Sequence, residues 1–299
     1  MRTRTQGYVV ALLATTIFSA QDGISKHLAE AYSPIFVTMI RYWAFALFAV
    51  GFAVTLPGGI GTTLRTQRPW LQVFRGLLLV AQVVLAITSF QIAGLARTQA
   101  IFSATPLIVV VLAIPLLGEQ VGWRRWTAII VGLCGMLLIV RPEGSFFDPA
   151  VLLPVAGAIN FAVYVVLTRM VGRVDSPMTS FFYTGVVGAA AISLAGPFFW
   201  ANLAGWDLAW MAVLCLTSVS GHYLLIRAYA ILDASAVQPI TYLNVVYAAI
   251  IGMAVFDETI GWATVAGAIV IVGAGIFTIW REYVRRTPPP LAVAEAEHP

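Results

Sequence analysis

Lysine is all but missing from this chain: Lys26 is the only one in 299 residues. A phosphate-cradling G-x-x-x-x-G-K-[ST] loop needs a lysine directly behind a glycine, and Lys26 stands in "GISKH", so no ATPase motor is built in. Charged residues of both signs make up 10% of the chain, against roughly 25% in soluble domains. That excludes an ordinary soluble fold, and no nucleic-acid partner is expected. The two cysteines, Cys134 and Cys215, lie inside apolar segments and read as buried, inert thiols. Histidine occurs three times and never as H-E-x-x-H, so no metal and no cofactor is expected. Period-2 alternation is absent over long stretches, which excludes an outer-membrane barrel.

What is there is apolar: 60% of residues are hydrophobic, gathered into runs of the length that crosses about 30 Å of hydrocarbon at about 1.5 Å per residue. Ten such runs are predicted, over 8–28, 34–56, 70–90, 97–117, 123–140, 149–170, 177–200, 207–227, 235–256 and 261–280. The fold class is therefore an all-α integral membrane protein of ten transmembrane helices. The connections are too short to fold as soluble domains, so all function must sit inside the bundle. The tail "RRTPPPLAVAEAEHP" is Pro-rich and polar and is expected to be disordered. The first run follows Arg2 and Arg4 like a signal peptide, but Phe18 occupies a position where signal peptidase needs a small residue, so it is retained as a span.

Basic residues set the orientation. Twelve of the seventeen Lys and Arg, including Arg2, Arg4, Arg124, Arg125, Arg169, Arg173 and Arg281, collect on the side that carries both termini. The excess places that side in the cytoplasm, and the localisation expected is a bacterial inner membrane, multi-pass. The chain also repeats itself upside down. "GEQVGWRRW" lies over "DETIGWATV" at an offset of 139, matching Glu119 with Glu258 and Trp123 with Trp262. At an offset of 143, "SKHLAEAYSP" lies over "TRMVGRVDSP", with Lys26 over Arg169. Five spans separate the copies, so the second half enters the membrane inverted and loses the arginine pair that a cytoplasmic loop favours. The expected organisation is a first repeat over 1–145, a second over 146–284 and the tail over 285–299. Two halves related by a pseudo-two-fold axis in the membrane plane can exchange conformations, which is the arrangement of alternating access around a midplane site.

"SFQIAGLARTQAIFSATPLIVVVLAIPLLGEQVGWRRWTAIIVGLCGMLLIV" and its echo "AYAILDASAVQPITYLNVVYAAIIGMAVFDETIGWATVAGAIVIVGAGIFTIW" resemble the duplicated EamA module of the drug/metabolite transporter superfamily. Within that superfamily the sequence resembles the YddG-like amino acid exporters. The resemblance implies ten helices, cytoplasmic termini and a central cavity serving the efflux of amino acids, aromatic ones among them, or of other metabolites. A small-molecule substrate and the lipid bilayer are then the partners, and a secondary transporter requires no ATPase partner. The sequence departs from the module where Pro106 of the first half meets Val245 in the second, with Pro239 lying earlier.

Polar side chains are costly in a bilayer and usually face the bundle interior. Gln82, Asn160, Asn244 and Tyr247 lie about 13–18 Å from the ends of their spans, near the midplane, and are the candidate substrate contacts together with Tyr164 and Tyr242. Asn160, Tyr164 and Thr168 share a face at i, i+4, i+8. Interhelical hydrogen bonding is the competing role for each. Asp22 and Lys26, spaced to pair within one helix, and His222, the one histidine inside a span, are candidates for gating or proton coupling. Snorkelling of Lys26 and simple packing of His222 compete with those roles. Arg41 and Arg75 are expected to snorkel, Gln99 and Gln238 to sit at gates or helix contacts, and Glu119 and Glu258 to stabilise the starts of helices five and ten. Pro106, Pro154 and Pro239 are expected hinges, because each removes a backbone donor.

Two other classes compete with a transporter. A membrane-embedded hydrolase would need a nucleophile beside a base, and Ser220 and His222 at i, i+2 point apart; the chain is not expected to be an enzyme. A non-transporting scaffold or assembly factor shares the apolar bundle, but has no need of polar groups at the midplane.

Overall fold

The computed structural model describes residues 2–117, 123–140, 148–172, 174–231 and 240–286. Among these residues all regular structure is helical: α1 (Arg2–Ala31), α2 (Pro34–Thr55), α3 (Gly59–Thr63), α4 (Pro69–Ala93), α5 (Leu95–Phe102), α6 (Thr105–Leu117), α7 (Trp123–Val140), α8 (Pro149–Val171), α9 (Pro177–Ala195), α10 (Asp207–Ile231), α11 (Leu243–Phe256) and α12 (Trp262–Arg286). Several helix starts are written plainly in the sequence. Ser33, Asp148 and Ser176 each stand before a proline, and their side chains accept from the amides of Ile35, Ala150 and Thr179 at 3.3, 3.0 and 3.0 Å. The cap satisfies an orphan amide, and proline at the first helical position has no amide to orphan.

By length and composition, seven helical stretches among the described residues can cross a membrane, and Ile129–Ile139, Leu243–Phe256 and Trp262–Ala274 are shorter apolar helices. The fourth expected run, 97–117, is two helices, with Ser103 and Ala104 between α5 and α6. Pro106 explains the break. Its ring has no amide to give Phe102, and the Ala104 carbonyl accepts from Leu107 and Ile108 at 3.0 and 3.2 Å. Pro154 stays inside an unbroken α8. Pro239, Gln238, Glu119 and the tail beyond 286 lie outside the described residues.

The bundle is built from paired helices. α1 packs on α10 and α4 on α8; α4 also packs on α9 and α2 on α10; α6 packs on α8 and α1 on α11; α2 packs on α9 and α7 on α12. One core gathers Leu28, Phe36, Tyr42, Ile87, Phe181 and Leu214 from α1, α2, α4, α9 and α10. A second joins Ile101, Leu107, Ile129, Met136 and Ile271 from α5, α6, α7 and α12. Where α7 crosses α12 the backbones touch: a Cβ on Gly267 would stand 2.5 Å from the Gly135 carbonyl oxygen and 2.4 Å from Ile139. Small residues at such crossings replace the hydrophobic drive that helices lack among lipid tails. The outer surface is studded with exposed apolar side chains, among them Leu47, Leu194, Phe198 and Leu216, as a lipid-facing surface requires.

Candidate functional site

Among the described residues, polar groups inside the bundle gather in several places. The first lies at the end where α1 finishes. Lys26 donates to and ion-pairs with Glu258, in the turn before α12, and its ammonium sits 4.0 Å over the ring of Phe256. Glu258 also accepts from the amides of Leu95 and Ala96 at 2.7 and 3.1 Å, so it caps α5, on the other half of the chain, as well as preceding its own helix. Gly94 makes room for it. Its φ of +83° is a left-handed conformation, and a Cβ there would lie 3.0 Å from the carboxylate. Burial would raise the Glu258 carboxyl, but the hydrogen bonds from Lys26, Leu95 and Ala96 outweigh it and hold the group below the ordinary carboxylate range. Asp22 does not pair with Lys26. It accepts from Gln99 Nε2 at 2.6 Å, because Lys26 finds a carboxylate on another element.

Nearer mid-depth, α1 meets α11. Ser19 donates to Asn244 Oδ1 at 2.8 Å and Thr16 to Tyr247 Oη at 3.4 Å. Tyr242 is buried beside them in sequence, and among the described residues its hydroxyl has no hydrogen-bond partner. The third place joins α4 to α8: Asn160 Nδ2 donates to the Leu78 carbonyl at 3.0 Å and to Gln82 Oε1 at 3.2 Å. Tyr164 and Thr168 continue that face to Arg75, which donates to both at 3.3 Å. Arg75 also reaches Gln72 Oε1, the Ser180 carbonyl and Thr184 Oγ1 at 3.0, 2.6 and 2.9 Å. It is 2% exposed, so the expected snorkelling is corrected: five neutral acceptors on α4, α8 and α9 hold the guanidinium inside. The structure thus brings Gln82, Asn160 and Tyr164 together on one side, Asn244 and Tyr247 on the other.

On α10, His222 Nδ1 donates to the Ser218 carbonyl at 2.8 Å, while its ring meets Phe18 and Phe45 with centroids 5.1 and 5.4 Å away. Ser218 Oγ is turned to Gln21 Oε1 at 3.1 Å, so serine and histidine do not form a nucleophile and base. At the far end of α4, Asp175 accepts from Thr66, from the Gln67 amide at 3.1 Å and from Gln72 Nε2 at 2.9 Å. Slight burial would raise its carboxyl, but these bonds hold it below the ordinary range. Sequence reasoning passed over this carboxylate, and the only hint was its place one residue before the Ser176 cap.

A helical bundle with polar groups bridging its helices at mid-depth invites comparison with known membrane proteins. The model of the EamA-like transporter family matches residues 5–141 and again 148–280. The chain belongs to that family. An S-adenosylmethionine uptake transporter of Rickettsia prowazekii (strain Madrid E) is 28% identical over 282 residues, covering 94% of this chain and 95% of that one. A riboflavin transporter of Vibrio cholerae is 25% identical over 294 residues, 92% of this chain and 93% of the relative. The pseudopaline exporter CntI of Pseudomonas aeruginosa is 24% identical over 274 residues, 90% and 94% of the two. A crystal structure with 17% identity covers 95% of this chain and all of its own, with a TM-score of 0.66, which establishes a shared fold. As an EamA-like transporter the chain is a multi-pass membrane protein whose relatives carry small molecules.

Proposed function

We propose that this EamA-like transporter is a secondary transporter of the inner membrane, working by alternating access between two inverted five-helix halves, 1–145 and 146–284. The symmetry of the helix pairing is the observation that carries this reading. Setting α1 over α8, α2 over α9, α4 over α10, α5 and α6 over α11, and α7 over α12 turns the α1–α10 contact into α8–α4. The same exchange turns α4–α9 into α10–α2 and α6–α8 into α11–α1, while α2–α9 and α7–α12 map onto themselves. Every one of these contacts is present, as a two-fold axis between the halves requires. Positive charge supports cytoplasmic termini, so the Lys26–Glu258 end faces outward and is closed.

The substrate sits near mid-depth between α1, α4, α8 and α11, contacted by Gln82, Asn160, Tyr164, Tyr242, Asn244 and Tyr247. It is a small metabolite with an amino acid group and an aromatic ring. Aromatic amino acids and S-adenosylmethionine both belong to that class, and the latter takes first place because of the relatives that bear its name. Relatives carry names of uptake and of export alike, so export remains part of the proposal on the family resemblance alone. Counterflow of labelled S-adenosylmethionine, riboflavin and amino acids in proteoliposomes tests substrate choice independently of direction. Accumulation of one class, reduced about tenfold or more in Asn160→Ala, is the expected result. No accumulation of any probe by correctly folded protein would favour the scaffold instead.

A further inference from the structure

One charged side chain deep in the bundle is left over. Arg41 on α2 is 7% exposed, yet among the described residues its guanidinium has neither a hydrogen bond nor an ion pair. It lies seven residues into α2, about 10 Å from the helix start at 1.5 Å per residue. A guanidinium carries five N–H donors, and an unpaired charge inside a membrane is expensive, so such a group is kept where something outside the chain supplies the acceptor. Arg75 shows how this bundle holds a guanidinium, with its two terminal nitrogens bonded to acceptors on α4, α8 and α9. Arg41 has none of that.

Across from it on α1 stands Asp22, nine residues before the end of the helix and about 13 Å in from the same end of the bundle. Asp22 is half-buried and among the described residues accepts a single hydrogen bond, from Gln99, which leaves most of its carboxylate lone pairs without a described donor. The two charges feel one another, and no salt bridge joins them within 4.0 Å. The other titratable groups within reach of the Arg41 charge are Tyr42, Cys215 and His222. A half-buried acid on α1 and a buried guanidinium on α2, at similar depth from the same end of the bundle and not bonded to one another, make a complementary pair for a ligand that carries both opposite charges side by side.

We propose that Asp22 and Arg41 form a zwitterion site, Asp22 taking the ammonium and Arg41 the carboxylate of an α-amino acid group on the transported substrate. This rests on the transporter reading above and narrows its substrate class. An arginine reads a carboxylate through two parallel N–H donors, so losing either partner charge removes a charge-assisted bond from a site shielded from water.

The test is competition against labelled S-adenosylmethionine in the counterflow assay, with S-adenosylmethionine, its decarboxylated form and its N-acetylated form as unlabelled competitors. In the parent protein each modified competitor is expected to be at least tenfold weaker. In Arg41→Gln the preference for the carboxylate should vanish while the preference for the ammonium remains, and in Asp22→Asn the reverse; Arg41→Lys should restore part of the first. A merely structural ion pair would lower all competitors together and leave the preferences intact, which overturns the proposal. So does equal competition by all three in the parent protein, an outcome that needs no variant to fold. Counterflow of riboflavin with no response to any amino acid or S-adenosylmethionine would also overturn it while leaving the transporter reading standing. Absence of any counterflow would remove both.

Discussion

Single residues carry more of this structure than their number suggests. Arg75 ties α4 to α8 and α9 through four acceptors, and interhelical hydrogen bonds in a membrane are worth about 0.6 kcal/mol each. Arg75→Met should therefore lower unfolding stability by roughly 1–3 kcal/mol, read from the midpoint of a denaturing-detergent titration. Glu258 makes a pH prediction with a definite sign. Its folded-state pKa is depressed, so its contribution is fully present above the unfolded value and is lost as pH falls through the folded one. The melting temperature of Glu258→Gln should lie below that of the parent by a constant amount from pH 8 to about 5, and the gap should close below about pH 4. The sequence exposed these residues unevenly. Polar side chains at mid-depth stand out in an apolar run, which is how Gln82, Asn160 and Asn244 came to notice. Who bonds to whom is set by tertiary packing, so the Lys26–Glu258 pair could not be read from the i, i+4 spacing of Asp22 and Lys26, and the burial of Arg75 could not be read from its distance to a span end.

Helices were legible where a local cause announces them. A capping residue followed by proline fixed the starts of α2, α8 and α9, and Pro106 marked the place where one apolar run becomes α5 and α6. Crossings between helices left weaker marks, since a glycine in a span reads the same whether it faces lipid or another backbone. Gly267 faces the Gly135 carbonyl. Gly267→Val should force α7 and α12 apart and reduce thermal stability by several degrees, whereas the same change at Gly273, where a Cβ meets nothing within 4 Å, should have little effect. Thermal unfolding of the two variants side by side checks this.

For the whole molecule, the proposed inverted arrangement makes a demand on the half that holds the other end. Glu119 stands over Glu258 and Arg169 over Lys26 in the sequence. If the halves exchange conformations, Glu119 and Arg169 serve the inward-closed state as Glu258 and Lys26 serve the outward-closed one. Glu119→Gln should then slow exchange in counterflow about as much as Glu258→Gln does, with the opposite bias in the end that a membrane-impermeant thiol reagent reaches. The cap on α5 has one more consequence. Opening that end would strip Glu258 at once from the Lys26 ammonium and from the Leu95 and Ala96 amides, and each of these groups would have to hydrate. Opening is therefore an uptake of water, and an osmolyte too large to enter should hold the transporter shut and slow its cycle in proportion to the osmotic pressure it exerts.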